Sequence, residues 1–241
     1  MLILAIEATN PNVPTPGVLL ARAEGDAPTA PCRVLATRAL HASGRHDDVL
    51  LPSIAGLFDT AAVEPADLDE VLVSIGPGGF TATRLACVGA AVLAEVAGAR
   101  VRAVETARVV VETALQDSGF KGPLVVAMAS KRDSAFVTRF DPQSTSAPGP
   151  NRSIDVAAFE RLLLPGDRLL FEGHLPDPML EIAAKLGVES VPLRLTAEGL
   201  LASRHAGRTV ATELLRPLYP REPDAVTQWR ERYGKAPGDE R

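Results

Sequence analysis

Apolar residues crowd the first eight positions of this chain at strand length, and after the Pro- and Asn-rich stretch 10–17 a second apolar run follows at 18–22. That order predicts a hairpin-like opening. A third strand is expected over 33–40, ending in a small and polar loop at 41–46. Asp47 and Asp48 then sit where a helix start favours negative charge, and Leu50, Leu51, Ile54, Leu57 and Phe58 recur at helical spacing, with Pro52 tolerated in the first turn. Residues 71–75 read as a buried strand, Gly76-Pro77-Gly78-Gly79 as a tight turn, and the alanine-rich segment after it as a helix to about Ala97, which together make a βα unit. Strands at 100–104 and 124–129 flank a helix near 106–116. A strand at 136–140 pairs with the second of these, and 142–150 is a Pro/Ser loop. A short helix at 156–164, a strand at 168–172 and helices at 177–186 and 196–206 complete the pattern.

Three β segments, a helix, a strand and a helix, then a weaker second round, is the rhythm of a two-lobed actin-like (RNase H-like, ASKHA) α/β fold, each lobe a mixed sheet flanked by helices. The expected organisation is a first lobe over 1–106 and a second over 107–216, with the last helix near 196–206 packing back on the first lobe. A Pro- and charge-rich tail is expected over 217–241.

The chain has 241 residues, 46% of them hydrophobic, which suffices for a substantial core. Its formal charge of -5 and pI of about 5.5 give a field that repels a phosphate backbone, so affinity-dominating contact with nucleic acid is not expected of this chain. Cys32 and Cys87 are the only cysteines and form no C-x-x-C pair, which fits a reducing compartment and argues against structural zinc. Residues 1–6 lack a basic flank and run straight into Glu7, so they read as a strand and not a leader, and no run approaches the roughly 18 apolar residues of a membrane span. A cytoplasmic address without membrane contact is the expectation.

Glycines at a helix start expose N–H groups that suit an anion, and Arg84 could add charge. The simpler reading is a tight reversal in which glycine supplies unusual backbone angles and Thr81 caps the helix; it is preferred because short glycine motifs recur without function. The turn has neither P-loop nor dinucleotide spacing. The helix that follows has no polar side chain from Leu85 to Ala94, so every side needs a cover. Ala82, Ala86, Ala90 and Ala94 form a smooth stripe four residues apart, beside a strip of Leu85, Gly89, Leu93 and Val96. Sheet and second lobe could enclose it, or a partner could.

Actin-like folds often bind a metal-bound nucleotide, for which Glu7, with Thr9 beside it, would be the acid near the first strand. The hairpin 10–17 carries three prolines that lack N–H donors, so a working ATPase site is not expected. His41, His46, Asp47 and Asp48 fit no sharp metal template, and among His41, His46, His174 and His205 there is no H-E-x-x-H.

The segment 71–95 resembles the signature of the TsaB (YeaZ) family, a strand followed by Gly-Pro-Gly-Ser-Phe-Thr-Gly-hydrophobic-Arg and an alanine-rich helix. Gly76, Pro77, Gly78, Phe80, Thr81 and Arg84 match; Gly79 replaces the serine and Ala82 the glycine after the threonine. Glu7-Ala8-Thr9 resembles the family's Asp-Thr-Ser, and 46–52 its His-Ser-Glu-x-Leu-Leu-Pro helix start. Residues 215–220 carry a fainter Pro-x-Tyr echo. The family's Asp-Ala-Arg-x-x-Glu-hydrophobic-Tyr is lost at 129–136, where Lys131 and Phe136 are loose equivalents. The resemblance implies a non-catalytic scaffold in the synthesis of N6-threonylcarbamoyladenosine on tRNA. It would pair with the catalytic paralogue TsaD or with a second copy, help recruit the ATPase TsaE, and meet tRNA only through the complex, with ATP and metal belonging to the partners. It further implies that the contact helices carry Leu50, Leu51, Ile54, Leu57, Phe58, Ala82, Leu85, Ala86, Gly89, Ala90 and Leu93. Glu7 and Thr9 would line a vestigial nucleotide cleft.

Overall fold

The computed structural model describes residues 1–10, 16–40, 49–118, 120–130, 133–141 and 152–219, with positions 229 and 232–234. The sequence features at 11–15, His41, His46, Asp47, Asp48, Lys131, Arg132 and the loop 142–150 lie outside the described residues.

Two sheets are built by the same sequence of elements. In the first, β1 (Leu2–Glu7), β2 (Gly17–Ala23) and β3 (Cys32–Ala39) form an antiparallel meander. Helix α1 (Leu50–Ala61) leads to β4 (Leu68–Ser74), and α2 (Phe80–Ala97) to β5 (Arg100–Val104). β4 and β5 run parallel to β1, giving the order β3-β2-β1-β4-β5. After α3 (Thr106–Ser118) the pattern repeats with β6 (Leu124–Ala129), β7 (Ser134–Phe140), β8 (Arg152–Asp155), α4 (Val156–Leu162), β9 (Arg168–Phe171), α5 (Asp177–Lys185) and β10 (Glu189–Pro192). The order is again β8-β7-β6-β9-β10. This is the two-lobed actin-like fold. The chain then makes α6 (Ala197–Ala202) and returns to the first sheet, where β11 (Arg208–Val210) pairs antiparallel with β5.

Central strands read as continuous apolar runs because both faces are covered. On β1, Leu2, Leu4 and Ile6 point to the side of α1 and α2, while Ile3 and Ala5 point to α3 and α6. The second face is shared: Ile3, Leu19 and Leu72 of the first sheet and Leu124, Val126 and Leu170 of the second belong to one core with Val109, Val110 and Leu200 between them. A third core lies beyond the second sheet, under α4 and α5, around Phe159, Met179 and Ala183.

Within this frame one buried acid ties distant segments together. Glu70 on β4 accepts Arg100 Nε at 2.9 Å, Arg102 Nε at 3.2 Å and Arg204 Nε at 2.6 Å. Arg204, in the turn after α6, is itself 1% exposed and donates onward to the Ala27 carbonyl at 2.6 Å.

Helix α1 begins at Leu50 with Pro52 in its first turn, as expected, and buries Leu50, Ile54, Leu57 and Phe58 against β2 and β3. It ends on Ala62, held in the left-handed region at φ 51 with its N–H directed to the Asp59 and Phe58 carbonyls. An L-residue is strained there, so Ala62→Gly is expected to stabilise the chain by about 0.5–1 kcal/mol. The check is a higher midpoint of urea unfolding at unchanged slope.

Candidate functional site

The Gly-rich turn positions α2. Gly76 sits at φ +106, and a Cβ there would come within 2.8 Å of the Leu218 carbonyl. Gly78 lies so tightly on the Thr9 carbonyl that a Cβ would collide with it, and the Gly79 N–H donates to that same carbonyl at 2.7 Å. Glycine is therefore required for close approach to β1 and to the returning chain. The Gly76–Pro77 peptide is cis. The helix starts on Gly79 without a side-chain cap. The cap expected from Thr81 is not made, because Thr81 is already inside the first turn and exposed, and Thr83 bonds the Gly79 carbonyl instead, through its N–H at 2.9 Å and its hydroxyl at 2.8 Å. The Gly79 N–H is satisfied by Thr9 and Arg84 lies over the Phe80 ring at 4.8 Å, so the turn is built as a tight reversal.

Helix α2 is 18 residues long, with a mean hydropathy of 1.5 and a third of its residues buried. By length and composition alone it could cross a bilayer. In this fold its alanine stripe faces the sheet: Ala82 is buried, and Ala86, Ala90 and Ala94 are buried in the core that also holds Val71 and Val73 of β4 and Leu50, Ile54, Leu57 and Phe58 of α1. This corrects the expected contact surface. Leu50, Ile54, Leu57, Phe58, Ala82, Ala86 and Ala90 are interior residues of this chain, because small side chains let a helix approach a sheet closely and larger α1 residues fill the space beside it. Leu85, Gly89 and Leu93 are half-buried, and a Cβ on Gly89 would touch Leu50 Cδ2 at 3.8 Å, which places it at the seam of the two helices. Of the expected set only Leu51 is exposed, at 57%.

The free face is a different stripe. Phe80, Arg84, Val88, Val92 and Val96 follow one another at four-residue spacing, and the four apolar members are 54%, 54%, 56% and 81% exposed. Leu214, also exposed, sits in the turn bound to the far end of α2 through Thr212 Oγ1 to Glu95 at 2.8 Å. Single exposed apolar residues are ordinary, whereas a run of them along one helix is the kind of surface that attracts explanation. Spacing could have shown it, since the bulky β-branched positions repeat as regularly as the alanines. Spacing alone does not say which stripe faces the sheet.

The chain after α6 is more than tail. Leu215 is buried against α2, the Leu218 N–H donates to the Ile75 carbonyl at 2.6 Å, and Tyr219 stacks on Phe80 with ring centroids 4.8 Å apart. The boundary expected at 217 therefore falls inside a strap, Thr212 to Tyr219, that runs antiparallel to α2 from its last turn to its first.

The expected cleft residues Glu7 and Thr9 are tied to each other. Glu7 is fully buried, and its Oε1 accepts the Thr9 N–H at 2.9 Å and the Thr9 hydroxyl at 2.6 Å. The Thr106 hydroxyl donates to Thr9 Oγ1 at 3.3 Å and lies 2.9 Å from Ser74 Oγ. At the mouth of the cleft Asn10 Nδ2 donates to Glu172 at 2.7 Å, joining the lobes. Oε1 of the acid is thus held on its own strand end, while Oε2 is buried without a hydrogen-bond partner. Burial pushes the Glu7 carboxyl above its ordinary value, and the hydrogen bonds from Thr9 only partly oppose this. A carboxyl raised in the folded state takes up a proton on folding, so this group makes stability fall as pH rises from 4.5 through the higher folded value. Glu7→Gln is expected to remove that decline in thermal melts taken from pH 4.5 to neutrality; an equal decline in the variant would place its cause elsewhere.

Among the described residues no group of three or more His, Cys, Asp or Glu is arranged to hold a metal. His205 is engaged by Arg108 at 2.9 Å, and burial pushes the Cys87 thiol up to about 12, which leaves it no nucleophilic character at neutral pH.

The fold and this face define a two-lobed actin-like protein with an exposed apolar helix face. The family model described as TsaD, tRNA N6-adenosine threonylcarbamoyltransferase, matches residues 40–174. Uncharacterized proteins of Mycobacterium tuberculosis and Mycobacterium bovis are 31% identical over 193 residues, 80% of this chain and 82% of each relative. YeaZ from Pseudomonas aeruginosa superposes with a TM-score of 0.65 at 20% identity, covering 90% of this chain and 99% of that one. A second Pseudomonas aeruginosa structure, described as similar to peptidase YEAZ, gives 0.66 at 19% identity over 91% and 99%. The chain belongs to the family of that model, and its fold is that of YeaZ.

Proposed function

We propose that this chain is a non-catalytic, cytoplasmic scaffold subunit that pairs through the exposed face of α2, with Leu51 of α1 beside it, with the catalytic paralogue TsaD. The observation that carries the reading is the stripe Phe80, Val88, Val92 and Val96, apolar and uncovered along the helix that leaves the family's Gly-Pro-Gly turn. A stable pair buries about 800 Å² on each partner around an apolar centre, and a face of this composition is suited to that centre. The inward-turned Glu7 supports a chain that carries no nucleotide or metal of its own. The ATPase TsaE would dock on the pair, and tRNA would meet the complex and not this acidic chain. A second copy on the same face is the alternative occupant.

The test is co-purification with TsaD of the same organism and reconstitution of tRNA threonylcarbamoylation with and without this chain. A stable complex whose activity depends on the chain is expected. A chain that ignores TsaD, or a TsaD fully active alone, overturns the reading.

A further inference from the structure

The uncovered stripe of α2 has a candidate occupant within the same polypeptide. Tyr219 brings the chain to the head of the stripe, stacked on Phe80, which is itself flanked by the Arg84 guanidinium. Beyond it lie two aromatic residues four apart, Trp229 and Tyr233, whose rings pack on each other with centroids 4.5 Å apart and are 45% and 61% exposed. A tethered aromatic pair and an apolar helix face thus each lack a cover.

The reach is sufficient. Nine residues, 220–228, separate Tyr219 from Trp229, and ten extended steps span about 33 Å. The whole of α2 is about 27 Å long. Trp229 and Tyr233 can therefore meet any point from Val88 to Val96. Their charges pose no obstacle: residues 220–241 carry five basic and five acidic side chains. A tether of this length holds its end at millimolar effective concentration near the face, so even a weak contact is populated.

We propose that the C-terminal segment docks Trp229 and Tyr233 on the Val88, Val92 and Val96 face of α2 and occupies it until a partner displaces it. The segment is a placeholder that keeps the apolar face from water and sets a threshold for pairing. A tail docked about nine-tenths of the time weakens apparent partner affinity about tenfold, because only the undocked fraction is competent. The docking stands on the geometry of this chain; its effect on pairing rests on the partner reading above.

Trp229 is the only tryptophan, so its emission reports on the tail alone. In the full chain, at concentrations where sedimentation shows a monomer, emission is expected to be blue-shifted, protected from iodide quenching and independent of concentration. Val92→Glu, a change at an exposed position, is expected to shift it to the red and expose it to iodide. Water-like emission in the monomer, or a blue shift that grows with concentration, overturns the proposal. Trp229→Ala with Tyr233→Ala is then expected to raise affinity for TsaD about tenfold. Failure of TsaD to bind either form, with the fluorescence result intact, would sink the partner reading and leave the docked tail standing.

Discussion

Ala86→Glu is expected to unfold this chain, whereas Val92→Glu, six residues along the same helix, is expected to leave it folded and to abolish pairing. Ala86 has no exposure and packs in the core of the first sheet with Val71, Val73 and Ile54. A carboxylate there has neither room nor a partner. Burying one unpaired costs more than about 4 kcal/mol, a large part of the 5–15 kcal/mol that holds most domains together. Val92 is 56% exposed, so its replacement changes stability by less than about 0.5 kcal/mol while placing a charge in the middle of the apolar face. Circular dichroism melts of the two variants, set beside co-purification with TsaD, separate fold from pairing. A folded Ala86→Glu chain would mean that the alanine stripe is not core. A Val92→Glu chain that still pairs would move the contact off α2.

The second large effect is expected at Glu70. Its carboxylate receives three guanidinium groups, of which Arg204 is the most deeply buried. Burial alone would raise its pKa, but the hydrogen bond and charge of Arg204, then Arg102 and Arg100, hold it below the ordinary value of 4.5. Glu70→Gln removes the buried acid that all three share, leaving only the exposed Asp26 beside Arg100, and breaking a buried pair from one side costs about 3 kcal/mol or more. It should lower the urea midpoint at neutral pH by a corresponding amount. The sign with pH is opposite to that of Glu7. A depressed carboxyl contributes stability that is present above 4.5 and lost as pH falls through the lower folded value, so the parent should weaken on acidification and the variant much less. Equal acid sensitivity in both would show that Glu70 is not the group being titrated.

Much of this architecture was legible in the residues, for physical reasons that also explain what was not. Residues 71–97 announce themselves because glycine is required wherever backbone meets backbone, as Gly78 meets Thr9, and because 18 residues of helix leave a strong periodic trace. The spacing of Leu50, Ile54, Leu57 and Phe58 likewise marked a helix with one buried side. The strands β8, β10 and β11 escaped, being three or four residues long with mostly exposed side chains; only their pairing partners make them strands. The contact face was misread for a related reason. Alanine and valine stripes alternate around α2, both apolar, and sequence cannot say which lies on the sheet. Size decides it: close approach to β4 admits alanine, and valine is left outside. Residues 217–219 read as tail because Pro217 and the charges beyond it outweigh Leu218 and Tyr219, whose value depends on α2 lying beside them.

That strap gives the chain a timetable. Helix α2 is translated long before the residues that brace it, and the strap that bonds Ile75 and stacks on Phe80 emerges near the end of synthesis. Domains tend to fold from the N-terminus as they are made, so the first sheet can assemble early while the head of α2 waits for its brace. The exposed apolar face of α2 is thus completed last, and a polysome full of half-made chains presents few finished faces to one another. Ribosome-stalled chains ending before Thr212 should fail to pair where chains extended past Tyr219 succeed.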